Sequence, residues 1–171
     1  MSNFIIQTIQ PDEVLRISTC VKNVEVSDVF TATLLCKGVD TPVYLKNYSL
    51  EEGERALLNE IIGYLVCNTY GIPQPQQAFF VLVPKYKVLP FLKGVTQRFR
   101  DSIEHTDVFP MFATQRLNGK DLAFRYNHSM ELVIAQLKHW RHYKSALICD
   151  EILANTDRLP RNILYLGDKE F

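Results

Sequence analysis

The sequence predicts an α+β fold: an antiparallel five-stranded sheet with one packed helix, followed by a partly helical C-terminal part. Three patterns point to it. Thr41-Pro-Val-Tyr-Leu-Lys46-Asn-Tyr alternates as a half-buried strand does, with Val43 and Leu45 on one face and Tyr44 and Lys46 on the other. Leu57, Leu58, Ile61, Ile62, Leu65 and Val66 then recur at three- and four-residue spacing, the period of an amphipathic helix. Further short runs rich in β-branched and aromatic residues, bounded by Gly, Pro and Asp, read as the remaining strands.

Taken in order, strands are expected near Glu13 to Ser18, Val29 to Lys37 and Pro42 to Asn47, with Lys37-Gly-Val-Asp-Thr-Pro42 turning the second into the third. A helix follows from about Leu50 to Thr69. Ser49 is placed to cap it, and Glu51, Glu52 and Glu54 fall where a helix N-terminus favours negative charge. It ends at Tyr70-Gly71-Ile-Pro73-Gln-Pro75, where Gly can take the left-handed position after the last turn and the prolines forbid continuation. Strands at Ala78 to Pro84 and Pro110 to Leu117 complete the sheet. Between them Phe91 to Asp107 is polar, with Arg98, Arg100, Asp101, Glu104 and His105 around a few apolar residues. It reads as a partly helical insertion, either a solvated connector or a recognition surface.

Beyond the sheet, Gly119 to Asn127 suits a short helix, and Ser129 is placed to cap a longer one carrying Leu132, Val133, Leu137, Trp140, Leu147 and Ile148. Lys138-His-Trp-Arg-His-Tyr-Lys144 interleaves basic and aromatic residues as nucleic-acid binders do. On one continuous helix, however, Leu137, Trp140 and Lys144 share a face while His139, Arg141 and His142 point elsewhere. An amphipathic core helix is therefore the expectation.

Composition narrows the function classes. With 171 residues, 47% of them hydrophobic, the chain has the size of one ordinary domain and can bury a real core. Its 19 basic and 19 acidic residues cancel, so no global field draws in nucleic acid or an anionic membrane. No apolar run has the length of a membrane span, and no signal peptide precedes the first strand. Cys20, Cys36, Cys67 and Cys149 are scattered without a Cys-x-x-Cys pair, which suits free thiols in a reducing cytoplasm. His105, His128, His139 and His142 have no Glu or Cys spaced to complete a zinc site. Serine-nucleophile and Walker signatures are missing as well.

The chemistry lies in two pairs. Glu60 interrupts the apolar zone of its helix, so its carboxylate calls for a partner. A strand lysine followed closely by a helix glutamate is the pair with which kinases grip the nucleotide phosphates, and Lys46 and Glu60 have that spacing. Downstream, Asp157 and Asn162 sit between a helix-like run and a short apolar strand. Phosphoryl transfer needs a carboxylate to orient and deprotonate the attacking hydroxyl and an amide oxygen to hold magnesium, and these two residues have the spacing for both roles. Either pair alone is also compatible with an edge-strand Lys, a flanking Glu and an ordinary turn.

In order along the chain, Val43-Tyr-Leu-Lys46, Ala56-Leu-Leu-Asn59-Glu60-Ile, Gly71-Ile-Pro73-Gln-Pro75 and Asp150-Glu-Ile-Leu-Ala-Asn155-Thr-Asp157-Arg158 with Asn162-Ile-Leu resemble the HipA-like serine/threonine kinases. They look most like the stand-alone HipA-related family, over roughly residues 25 to 171. The resemblance implies a protein-kinase-like fold, with an N-lobe and hinge over 1–117 and a partial C-lobe with the catalytic-loop motif over 118–171. It makes Lys46 the phosphate-gripping lysine, Glu60 its helix partner, Asp157 the catalytic base and Asn162 a magnesium ligand. Phe112-Ala-Thr-Gln115-Arg116-Leu117-Asn-Gly119 would run from the last N-lobe strand into the hinge, so that the backbone of Gln115, Arg116 and Leu117 meets adenine. ATP and magnesium are the implied cofactors, a protein hydroxyl the implied substrate, and a toxin–antitoxin system one setting.

Three departures temper that expectation. Leu159 stands where the family has His after Asp-Arg. No Gly-x-Gly-x-x-Gly precedes Lys46, and the loop from Cys20 to Asp28 has no glycine, leaving Ser27 as a phosphate contact. Finally, the sequence reaches Leu166-Gly-Asp168-Lys-Glu-Phe171 without the family's Ile-Asp-His-Gly-like segment, whose Asp is the principal magnesium ligand, and Asp168 in a tight turn does not replace it. The expectation is thus a HipA-like ATP-dependent kinase in fragment or minimal form, inactive alone. The alternative is a non-catalytic kinase-fold module that binds a protein partner or a nucleotide.

Overall fold

The computed structural model describes residues 6–21, 27–48, 53–153 and 164–165. The chain forms two compact units, Met1–Ile62 with Pro75–Arg116, and Gly63–Gln74 with Leu117–Phe171. Its fold is α+β.

The first unit contains β1 (Gln7–Ile9), β2 (Val14–Val21), β3 (Ser27–Cys36), β4 (Val39–Tyr48), the N-terminal part of α1 (Gly53–Thr69), β5 (Ala78–Pro84), α2 (Lys85–Val88), α3 (Gln97–Ile103) and β6 (Val108–Gln115). The strands make one mixed sheet in the order β1-β5-β6-β4-β3-β2. Its six strands correct the expected five, and the parallel pairing of β1 with β5 corrects the wholly antiparallel reading. The extra strand, Gln7-Thr-Ile9, is too short to show a period, and its partner lies far along the chain. The β3–β4 turn is also tighter than expected. Lys37 and Gly38 both have positive φ, 51° and 80°, the primed two-residue geometry whose twist matches a hairpin, so Cys36 pairs directly with Val39.

Along β4 the alternation holds. Val43 and Leu45 are fully buried, while Tyr44, Lys46 and Tyr48 are half-buried on the opposite face. Phe30 and Leu34 from β3, Val81 and Val83 from β5, and Met111 from β6 extend the buried face into one core. What covers it is the segment between β5 and β6. Val88, Val95, Phe99 and Ile103 belong to the same buried cluster, and Phe99 packs edge-on against Phe30 and Phe109, with ring centroids 6.0 and 5.1 Å apart. The reading of Phe91 to Asp107 as a solvated connector is therefore corrected, since one side of the segment belongs to the core. Phe99 and Ile103, four apart on α3, and Val95 just ahead of its cap turn inward, whereas Arg98, Arg100, Asp101 and Glu104 are exposed. A seven-residue helix is too brief for that stripe to stand out in sequence.

Two polar contacts pin the same segment to the sheet. Asp28, 6% exposed, accepts hydrogen bonds from the Thr96 backbone N–H (2.8 Å) and from the Thr96 hydroxyl (2.9 Å). Thr96 in turn caps α3 by accepting from the Phe99 N–H. Cys20 Sγ donates to the Gly94 carbonyl at 3.3 Å, where a Cβ on Gly94 would come within 3.2 Å of the Cys20 side chain.

The apolar set of α1 behaves differently from its periodicity. Leu58, Ile62 and Leu65 are exposed, not buried. The set spans too wide an arc for one contact face, and the side of the helix turned toward β4 is the one carrying Glu60.

In the second unit, α1 ends as expected, in a Schellman motif. Gly71 has φ 66°, its N–H donates to the Asn68 carbonyl, and the Ile72 N–H reaches back to the Cys67 carbonyl at 2.9 Å. Ile72 then packs with Trp140, Ala146 and Cys149 and against Val66 and Cys67. Here β7 (Lys120–Asp121) pairs antiparallel with β8 (Leu164–Tyr165), and α4 (Leu122–Arg125), α5 (Met130–His139) and α6 (Tyr143–Ile152) lie between them in sequence. The single long helix after Ser129 is corrected to two. Trp140 leaves helical geometry at ψ 124°, which seats its indole in the cluster and breaks the face that would have joined Leu137 and Trp140 to Lys144. Ser129 precedes α5 without a side-chain capping bond. All four cysteines are free thiols, and among the described residues no helix is long and apolar enough to cross a membrane.

Candidate functional site

Lys46 sits where the sheet is held on both sides. Its residue pairs with Val29 of β3 and with Phe112 of β6, so the backbone beneath the side chain is fixed by two ladders. Strand alternation sends the side chain to the face opposite the core, and there Nζ donates to Glu60 Oε1 at 2.9 Å. Two residues further along the same face, the Tyr48 hydroxyl donates to that same oxygen at 2.5 Å. An ammonium and a phenol thus converge on one carboxylate oxygen.

The Lys46 and Glu60 side chains are 35% and 32% exposed, and that exposure decides what the pair is good for. A solvent-accessible ion pair adds only about 0–1 kcal/mol to stability. It does orient a cation: Glu60 occupies one of the ammonium's donors and leaves others open to a second anion reaching this face. Elsewhere on α1, burial pushes the Tyr64 phenol above its ordinary 10.0.

At the end of β6, the Gln115 N–H donates to the Gln77 carbonyl at 3.0 Å and the Arg116 N–H to the Pro42 carbonyl at 2.8 Å. Both donors are engaged within the fold. The Arg116 guanidinium lies 5.7 Å from the centre of the Tyr44 ring. Leu117 follows β6 outside any strand, half-buried.

The structure therefore brings Lys46 and Glu60 together as the sequence suggested. Ser27 opens β3. Asp157, Leu159, Asn162 and Asp168 lie outside the described residues. Among the described residues no group of three His, Cys, Asp or Glu side chains is placed to hold a metal. Tyr48 was missed, although the alternation that put Tyr44 and Lys46 on one face also puts Tyr48 there. Asp28 and Thr96 were missed for another reason: 68 positions separate them, and no local pattern joins them.

Compared with known proteins, the chain matches no protein-family model, and no curated protein matches its sequence.

Proposed function

We propose that the chain is the nucleotide-gripping part of a HipA-like, ATP-dependent serine/threonine protein kinase. The observation that carries this reading is the 2.9 Å contact between Lys46 on β4 and Glu60 on α1. A lysine on the third strand of the antiparallel run β2-β3-β4, paired to a glutamate on the helix that follows, is the arrangement with which protein kinases present a cation to the nucleotide phosphates. Sequence order supports the rest, with Asp157 as base toward a protein hydroxyl and Asn162 as a magnesium ligand just ahead of β8. ATP would supply the phosphoryl group, and magnesium would neutralise its charge during transfer. The orienting pair fits the polyphosphate. Adenine at Gln115 and Arg116 would be met by other groups than their two N–H donors, which Gln77 and Pro42 already hold. The four free thiols suit a cytoplasmic setting.

Calorimetry with ATP and magnesium on wild type and Lys46→Ala tests the proposal. Wild type should release measurable heat, and the variant should bind at least about tenfold more weakly, the scale of one lost hydrogen bond to a charged group. Its stability should change by no more than about 1 kcal/mol. Equal heats for the two proteins, or none for either, would overturn the reading.

A further inference from the structure

We infer that Tyr48 is a positioning residue of the phosphate-gripping site, acting through Glu60. The inference rests on the reading of Lys46 as a phosphate ligand. Lys46 and Tyr48 lie two apart on β4, so both side chains rise from the same face of the sheet, and both donate to Oε1 of Glu60, at 2.9 and 2.5 Å. A hydroxyl donating to a carboxylate over so short a distance makes a charge-assisted bond, stronger than a neutral pair.

That second bond solves a problem inherent in the site. An anion arriving at the Lys46 ammonium competes with Glu60 for it, and a glutamate held by the lysine alone would swing away as the ammonium turned toward phosphate. The phenol is uncharged and anchored to a strand bonded to β3 and β6 on its two sides. It keeps Oε1 in place while the ammonium divides its donors between carboxylate and phosphate. Glu60 then still orients the lysine in the liganded state, where orientation determines affinity.

The test is a double-mutant cycle of Tyr48→Phe and Glu60→Ala on the whole chain, read as ATP–magnesium affinity by calorimetry, with urea unfolding of each protein and Lys46→Ala alongside. Tyr48→Phe removes one oxygen and keeps the ring. It should weaken ATP binding by about five- to tenfold, the scale of one lost charge-assisted bond transmitted through its partner. In the Glu60→Ala background it should have no further effect. An equal loss in both backgrounds would show that the phenol acts on the ligand directly and would overturn the inference. Unchanged affinity with a lowered urea midpoint would reduce Tyr48 to a structural role and overturn it too. In either case an impaired Lys46→Ala leaves the phosphate reading standing, whereas wild-type affinity in Lys46→Ala would remove both.

Discussion

Phe99→Ala is expected to destabilise the first unit by about 3–5 kcal/mol, the range for deleting a buried aromatic ring. Phe99 is 1% exposed and meets Phe30 and Phe109 edge-on, so truncation removes its transfer free energy and leaves a cavity bounded by two other rings. Those neighbours sit on β3 and β6, whose ladders limit how far they can collapse into the space. Urea unfolding followed by far-UV circular dichroism gives the value from the shift in midpoint at constant slope. Were the segment between β5 and β6 a solvated connector, the change would stay within about 0.5 kcal/mol. The experiment thus measures how far the segment belongs to the core.

Asp28→Ala should cost about 2–4 kcal/mol, because it deletes two hydrogen bonds to a buried carboxylate and leaves the Thr96 N–H without its acceptor. The loss also reaches α3. Thr96 caps that helix through the same hydroxyl that Asp28 holds, so freeing the hydroxyl loosens the cap and with it the approach of Phe99 to the sheet. Asp28→Asn separates charge from geometry. Its carbonyl can still accept from the Thr96 N–H and its amide can donate to the Thr96 oxygen, so it should recover at least half of the loss in the same urea experiment. A full loss in Asp28→Asn would mean that the carboxylate's charge, not its shape, holds the segment down.

Both sites lie on the core face of the sheet, while Lys46, Tyr48 and Glu60 gather on the other. The division bears on how much could be read from sequence. Patterns within one element were legible: the alternation through Val43, Leu45 and Lys46, the helix stop at Gly71, and a carboxylate at Glu60 in an apolar stretch. Lys46 and Glu60 could be paired because one short connection joins their elements. What failed to show depends on partners far away in sequence. The β1 strand exists only by pairing with β5, the insertion packs through Val95, Phe99 and Ile103, of which only the last two share a helix, and the break at Trp140 follows from a cluster shared with Ile72 and Cys149. Helical periodicity even misdirected the reading of α1, since Leu58, Ile62 and Leu65 carry the period and stay exposed.

The central claim is that the Lys46 ammonium meets the phosphates of a bound nucleotide, and an ATP analogue bearing an acyl group on its terminal phosphate tests it most directly. A lysine amine held at the phosphates attacks the acyl carbon, forms an amide and releases ATP, and peptide mass spectrometry then identifies the lysine marked. The account predicts preferential labelling of Lys46 that excess ATP with magnesium suppresses. Labelling spread evenly over Lys85, Lys87, Lys93 and Lys46, unaffected by ATP, would contradict it.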